Sequence, residues 1–403
     1  MSSLHPPARH GVLATLLSVV LVTIAQAATA DSLCQRPGRW IDPASRDPIP
    51  VRDLYPELAG QQVVLLGERH DNAEHHRWQL HALAGLHAHH PELVLGFEMF
   101  PRSVQPALDR WVAGELSEAA FLAAVDWDNV WGFDPALYLP LFHFARIQQV
   151  PMVALNVERS LVSAVGRGGW ASVPVEDREG VGDPAPAVEA YRRDLAAVYA
   201  MGHGGQVSEG EAPLDALADD PGFQRFVEAQ LTWDRAMAEA LAGARERHGV
   251  DLAVGVMGQG HVLFGHGVPH QLRDLGLDAV AELVPLTARA DCEGLVAGMA
   301  RAVFTVPDYQ PPRTPPGPRL GVMIEGAEPG VRITRVLDDS IAATTGLQAG
   351  DVITEAAGEM LAEAGDLIRV VQRQAPGTWL PLRVDRDGEA LELVARFPPV
   401  AAP

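Results

Sequence analysis

The pattern Gly-x-x-His directly follows a short apolar run at two places, Gly67–His70 and Gly258–His261. Glycine lets the chain turn sharply off a strand, so the histidine three residues later can point back over the strand end. Two imidazoles and one carboxylate are a sufficient ligand set for a transition metal that keeps open positions. The repeated pattern therefore predicts a binding site built from both copies.

Carboxylates stand beside these histidines. Glu98 lies in the second apolar run and is the best third metal ligand with His70 and His261, and Glu68 is the next candidate. In a hydrolase, Glu68 or Glu98 would activate a water molecule. The alternative is that the histidines only cap helices or bond loop carbonyls. A single copy would favour that alternative, whereas the pair favours a binding site.

The elements that must position these residues alternate between strand and helix patterns. The predicted strands are 61–67, 92–100, 150–157, 251–261 and 277–286. Continuous apolar strands separated by helices indicate an α/β fold with a mostly parallel sheet that helices cover on both faces. Ligands of such sheets bind beyond the carboxyl ends of the strands. Arg69, Asn156 and Gln259 follow strand ends and are therefore further ligand-binding candidates.

A segment of about residues 159–231 is too long for a plain crossover and is predicted to be a helical insertion. An insertion beside the strand ends could form a lid over the site. Tyr191, Tyr199, Met201 and His203 are its candidate contributions to the site, since phenolate suits ferric iron in haem. The alternative is that its tyrosines belong to the core of a helical subdomain.

The first thirty residues predict export. A basic start precedes a short apolar run and small-residue cleavage options after Ala27 or Ala30, which indicates a signal peptide over 1–30. A periplasmic or secreted location follows. The residue before Cys34 is leucine rather than a small residue, which argues against lipidation. Cys34 and Cys292 are the two cysteines of the sequence, and an oxidising compartment predicts a disulfide between them.

The net charge of −21 argues against a nucleic-acid partner, because phosphate backbones need clustered cations. A proline-rich segment at 306–319 predicts a linker between two domains, at 31–305 and 320–399.

The second domain resembles a bacterial PDZ domain, a small mainly-β fold, most strongly in "SIAATTGLQAGDVI". PDZ domains bind a peptide as an added strand. The resemblance implies that the peptide carboxylate binds the amides of Leu320, Gly321 and Val322, helped by Arg319. A purely structural appendage is the alternative.

The first domain carries, in this order, the motifs "LLGERHDN", "GFEMF", "LN" after the third strand, "AQLTWDRAMA" and "MGQGHV", within about residues 43–290. Through these motifs it resembles the ChaN-like haem-binding uptake proteins of the Tiki superfamily. The resemblance implies an α/β domain with a helical insertion and a role in haem or iron uptake. His70, Glu98 and His261 fall on its motif positions, with Glu68 beside them.

Two functions follow from the sequence. The first is an exported haem- or iron-binding protein with a PDZ module that docks a peptide or protein C-terminus. The second is a metal-dependent hydrolase or peptidase that holds a divalent transition metal, as more distant members of the superfamily do. The sequence leaves the oligomeric state open, and a haem that bridges two chains would make a homodimer.

Overall fold

The computed structural model describes Cys34 and residues 36–202, 216–289, 292–309, 319–327 and 329–399. The chain divides into two compact units between Tyr309 and Gln310. The predicted signal peptide, His203 and most of the predicted linker lie outside the described residues.

The first unit contains a sheet with the strand order β1-β7-β6-β2-β5-β3-β4. The bounds of its strands are β1 Trp40–Ile41, β2 Val63–Glu68, β3 Leu93–Pro101, β4 Met152–Asn156, β5 Leu252–Gly258, β6 Val280–Thr287 and β7 Ala302–Val306. Neighbouring strands from β7 to β4 run parallel, and the short β1 pairs antiparallel with β7. Every residue of β2, β3 and β5 is buried, which explains their continuous apolar sequences.

Helices cover both faces of this sheet. Their bounds are α1 Val51–Ala59, α2 Ala73–His89, α3 Gln105–Val112, α4 Glu118–Ala124, α5 Trp127–Val130, α6 Leu139–Gln148, α7 Arg159–Gly168, α8 Glu189–Gly202, α9 Pro221–His248 and α10 Val268–Asp274. Side chains of alternate strand residues point to opposite faces of the sheet and pack in two separate cores. Leu66 packs in the core that α2 and α6 cover, and Leu65 packs with Leu241 of α9 in the other. The predicted helical insertion thus supplies α7, α8 and the first half of α9.

The order of strands sets two distant segments side by side. β2 and β5 are neighbours, and Glu68 lies opposite Gly258 in their parallel register. Both Gly-x-x-His segments therefore leave the sheet at the same edge. The sequence patterns did not predict β1 and β7, which are the two outermost strands on one side of the sheet. A disulfide joins Cys34 to Cys292 with a Cα–Cα distance of 5.8 Å.

The second unit is a small antiparallel sheet with the order β13-β12-β10-β9-β8, and β11 pairs with β10. Its elements are β8 Val322–Gly326, β9 Val331–Val336, α11 Ile341–Thr345, β10 Val352–Ala356, β11 Glu359–Met360, α12 Ala364–Gln372, β12 Trp379–Arg386 and β13 Glu389–Arg396. Strand β8 lies at the edge of the sheet, where one side stays available for another strand. In the described part of the chain, no helix combines the length and the hydropathy needed to cross a membrane.

Candidate functional site

The carboxylate of Glu68 is the buried centre of one half of the site. Its Oε1 lies 2.8 Å from Nδ1 of His70 and accepts a hydrogen bond from the Tyr138 hydroxyl at 3.0 Å. Its Oε2 lies 2.9 Å from Nδ1 of His76, and the Glu68 side chain is fully buried. Burial alone would raise the pKa of Glu68, but the hydrogen bonds from His70 and His76 outweigh it and lower the pKa to about 2. Glu68 is therefore an anion at neutral pH.

His70 is held by this carboxylate at the edge of a cleft. Its ring lies against Trp131 and Phe133, at centroid distances of 4.8 and 5.4 Å. Burial lowers the pKa of His70, but the hydrogen bond to Glu68 and the charge of Glu98 raise it above the ordinary value. Because Nδ1 faces Glu68, Nε2 is the nitrogen that remains for a ligand in the cleft. A carboxylate behind Nδ1 is typical of histidines that ligate metal through Nε2.

His261 forms the second half of the site with a partner from α9. Its Nδ1 lies 2.6 Å from Oδ1 of Asp234, and Tyr191 of α8 donates to Oδ2 of Asp234 at 2.9 Å. Its Nε2 lies 3.6 Å from Oε1 of Glu98. Burial lowers the pKa of His261, but the charges of Asp234 and Glu98 prevail and raise it to about 9. This imidazole is therefore protonated at neutral pH.

Glu98 links the two strand ends. Its Oε2 accepts the backbone N–H of Gly258 at 2.6 Å, and the Asn156 side chain donates to its backbone oxygen at 3.0 Å. Gly258 also packs against His70, since a Cβ at this position would lie 2.9 Å from Cε1 of the ring. The ends of β2, β3, β4 and β5 are thus fastened to one another at one edge of the sheet.

Of the residues described above, His70, Glu98, Asn156 and His261 line a cleft of about 700 Å³. Small-molecule sites in proteins occupy roughly 300–1,000 Å³ and are mostly apolar with a few placed polar groups. The apolar wall consists of Met99, Val130, Trp131, Phe133, Val157, Val162 and Trp233. His70, Glu98, Asn156 and His261 supply polar groups on the sheet side, and Arg159 lies at the start of α7. The lining also includes Asp126 and Glu158, so the cleft is a largely apolar hollow with both acidic and basic groups.

The structure brings Glu68, His70, Glu98 and His261 together, with Asn156 beside them. Other predicted ligands lie elsewhere. Gln259 does not line the cleft and instead packs against Gly67, and the exposed Arg69 donates its backbone N–H to His75.

Tyr199 also lies away from the cleft, because its ring packs against Phe223 and Phe226 inside the helical insertion. The structure thus favours the alternative in which Tyr199 belongs to a helical core. It gives no position for His203, which lies outside the described residues.

The convergent residues do not form a chelating site. Within the described residues, no group of three or more His, Cys, Asp and Glu side chains could hold a metal ion. Oε2 of Glu98 already accepts the Gly258 N–H at 2.6 Å, and its Oε1 lies 3.6 Å from Nε2 of His261. Chelation of a divalent metal by His70, His261 and Glu98 is therefore not supported, and neither is the metal-dependent hydrolase.

The sequence patterns assigned no role to Tyr138 or Asp234, and they indicated Tyr191 only as a candidate of the lid. Tyr138, directly before α6, and His76 of α2 hold Glu68, while Asp234 holds His261 and Tyr191 holds Asp234. A sequence signal existed for Asp234, because it interrupts an apolar helical stretch where a buried charge needs a partner. None existed for Tyr138, since a tyrosine in an aromatic-rich segment is typical of a core.

The second unit has a groove of about 320 Å³ between β8 and α12. Leu320, Val322 and Ile324 line one side, and Leu367 and Val371 line the other. Arg319 lies at the end where the predicted carboxylate-binding segment begins.

Comparison with known proteins identifies both units. A family model described as "Haem-binding uptake, Tiki superfamily, ChaN" matches residues 54–272. This chain belongs to that family. A PDZ-domain model matches residues 318–395. No curated protein matches the chain. The chain therefore combines a ChaN-like haem-binding domain with a PDZ domain, and the predicted family and fold class are confirmed.

Solved structures add fold-level likeness. A structure titled "Cofacial heme binding to ChaN of Campylobacter jejuni" is 18% identical, with a TM-score of 0.50, over 67% of this chain and 97% of that chain. The "HtrA-type protease AlgW with decapeptide" is 26% identical over 21% of this chain and 30% of that chain, with a TM-score of 0.19. A serine endoprotease from Yersinia pestis is 23% identical over 19% of this chain and 27% of that chain, with a TM-score of 0.18.

Proposed function

We propose that the cleft binds haem and that Nε2 of His70 ligates its iron. The observation that carries this proposal is the bond from Nδ1 of His70 to the buried carboxylate of Glu68, which fixes the ring and increases its basicity as a ligand. Haem, if bound, would supply an iron that such a nitrogen can ligate. Trp131 and Phe133 offer apolar surface for the porphyrin, and Arg159 offers a cation for a propionate.

Haemin titration followed through the Soret band tests this proposal. We expect saturable binding by the wild type and a loss of affinity of roughly tenfold or more in His70→Ala, since the iron loses a protein ligand. His81→Ala is the matched control, because His81 is an exposed histidine of α2 outside the cleft. Equal Soret spectra and equal affinities of His70→Ala and the wild type would contradict His70 as the ligand.

We also propose that the protein is exported and serves haem or iron uptake. The support is the amino-terminal pattern of residues 1–30, the disulfide between Cys34 and Cys292, and the family of the first unit. Amino-terminal sequencing of the mature protein should find cleavage after Ala27 or Ala30. Sedimentation of the haemin-loaded protein tests whether haem joins two chains, and an unchanged mass at saturation would oppose a homodimer.

The PDZ domain is proposed to dock the C-terminus of a peptide or protein. Support comes from the edge strand β8 and its apolar groove. Gly321, in the predicted carboxylate-binding segment, has a φ of +81°, and a Cβ there would lie 2.3 Å from Cβ of Ser340. Peptides with free C-terminal carboxylates should bind the wild-type protein more tightly than the same peptides with amidated C-termini do.

Gly321→Ala should abolish that preference for free carboxylates, because the backbone of the binding segment must shift. Gly326→Ala is the control, since nothing lies within 4 Å of a Cβ at that position of β8. Equal binding of free and amidated peptides to the wild type would oppose this docking mode.

A further inference from the structure

A chain of hydrogen bonds connects the helical insertion to the cleft. Tyr191 of α8 donates to Asp234 of α9, and the other oxygen of Asp234 lies 2.6 Å from Nδ1 of His261. Tyr191 is 3% exposed and Asp234 is fully buried. None of the three residues is near the others in sequence, so tertiary packing alone assembles the chain.

The surroundings of Asp234 leave little freedom to its carboxylate. A Cβ on Gly267 would lie 2.9 Å from Oδ1, so the backbone of Gly267 closes the space beside it. A buried carboxylate needs a compensating charge, and His261 provides it. The other titratable groups that act on His261 are Glu98 and His70, both on the cleft side.

We propose that Tyr191 and Asp234 are positioning residues, which fix the His261 ring so that its Nε2–H donates to an acidic group of a ligand in the cleft. This inference rests on the proposed haem binding, because it assumes a ligand in the cleft. It gives the two histidines different roles. His70 offers a lone pair to iron, whereas His261 offers a proton donor.

Nitrogen-15 NMR of the ligand-free protein, titrated from pH 5 to pH 10, tests the chain without any haem. Asp234→Asn removes the charge, so the pKa of His261 should fall by more than about one unit. Tyr191→Phe removes the donor that stabilises the Asp234 anion. Deprotonation of His261 then leaves a poorly stabilised buried charge, so its pKa should rise. Tyr55→Phe, at another buried tyrosine in α1, should leave the pKa unchanged.

The pKa of His261 is expected to fall in Asp234→Asn and to rise in Tyr191→Phe. These opposite directions distinguish a positioning role from a loosening of the packing. Packing defects would move the pKa of His261 towards that of an exposed histidine in both variants. Downward shifts in both, or no shift in either, would overturn the positioning roles. Haemin titration completes the test: Asp234→Asn should bind about tenfold more weakly, the typical effect of losing one hydrogen bond to a charged group. Absence of saturable haemin binding by the wild type would instead refute the proposed function, whatever the NMR result.

Discussion

Replacing Glu68 with glutamine should destabilise the first unit strongly. The substitution removes the charge that His70, His76 and Tyr138 surround, and it turns one acceptor oxygen into a donor. Lowering the pKa from 4.5 to about 2 stabilises the folded state by roughly 3 kcal/mol at neutral pH, since one pKa unit equals about 1.4 kcal/mol. This value agrees with the cost of breaking a buried ion pair, which is typically roughly 3–5 kcal/mol.

The pH dependence follows from the sign of this change in pKa. Because the folded-state pKa is depressed, the stabilisation is fully present above pH 4.5 and is lost as the pH falls through about 2. The wild type should therefore exceed Glu68→Gln by about 3 kcal/mol at pH 7, and by roughly 1 kcal/mol at pH 3. Urea unfolding at both pH values, analysed by linear extrapolation, measures the two differences.

A surface pair provides the control. His143 and Glu118 lie 3.1 Å apart, but their side chains are 38% and 56% exposed. Glu118→Gln should cost less than about 1 kcal/mol, because solvent screens exposed ion pairs. Equal losses of unfolding free energy in Glu68→Gln and Glu118→Gln would contradict this prediction. An equal loss in Glu68→Gln at pH 7 and at pH 3 would also contradict it.

Two further predictions concern a glycine and the disulfide. Gly258→Ala places a Cβ 3.1 Å from Nε2 of His70, so haemin should bind about tenfold more weakly by Soret titration. Gly260→Ala, with nothing within 4 Å of its Cβ, should bind as the wild type does, and equal affinities of the two variants would count against His70. Cys292→Ser opens the link to Cys34 across 258 residues and should lower the free energy of unfolding by roughly 2–4 kcal/mol. Unchanged urea midpoints under non-reducing conditions would show that the link does not stabilise the fold.

The strand patterns of the sequence were sufficient to predict the edge where the site lies. Apolar runs separated by helices specify a parallel sheet, and a parallel sheet places all carboxyl ends on one side. Glu68, His70, Glu98 and His261 lie at or near such ends, so their approach could be predicted although they are far apart in the chain. The short β1 escaped prediction, because two residues carry too little periodicity.

What the sequence by itself determined was the identity of the two domains and the end of the sheet at which the candidate site lies, since local periodicity and motif spacing encode both. Only the tertiary structure decided the partners of the histidines. Tyr138 reaches Glu68 from the turn before α6, and Asp234 reaches His261 from the middle of α9. Hydrogen bonds between such remote residues depend on strand order and helix packing, which leave no local pattern along the chain. The same packing places a carboxylate beside Nδ1 of both histidines, which the spacing of the two motifs could not show.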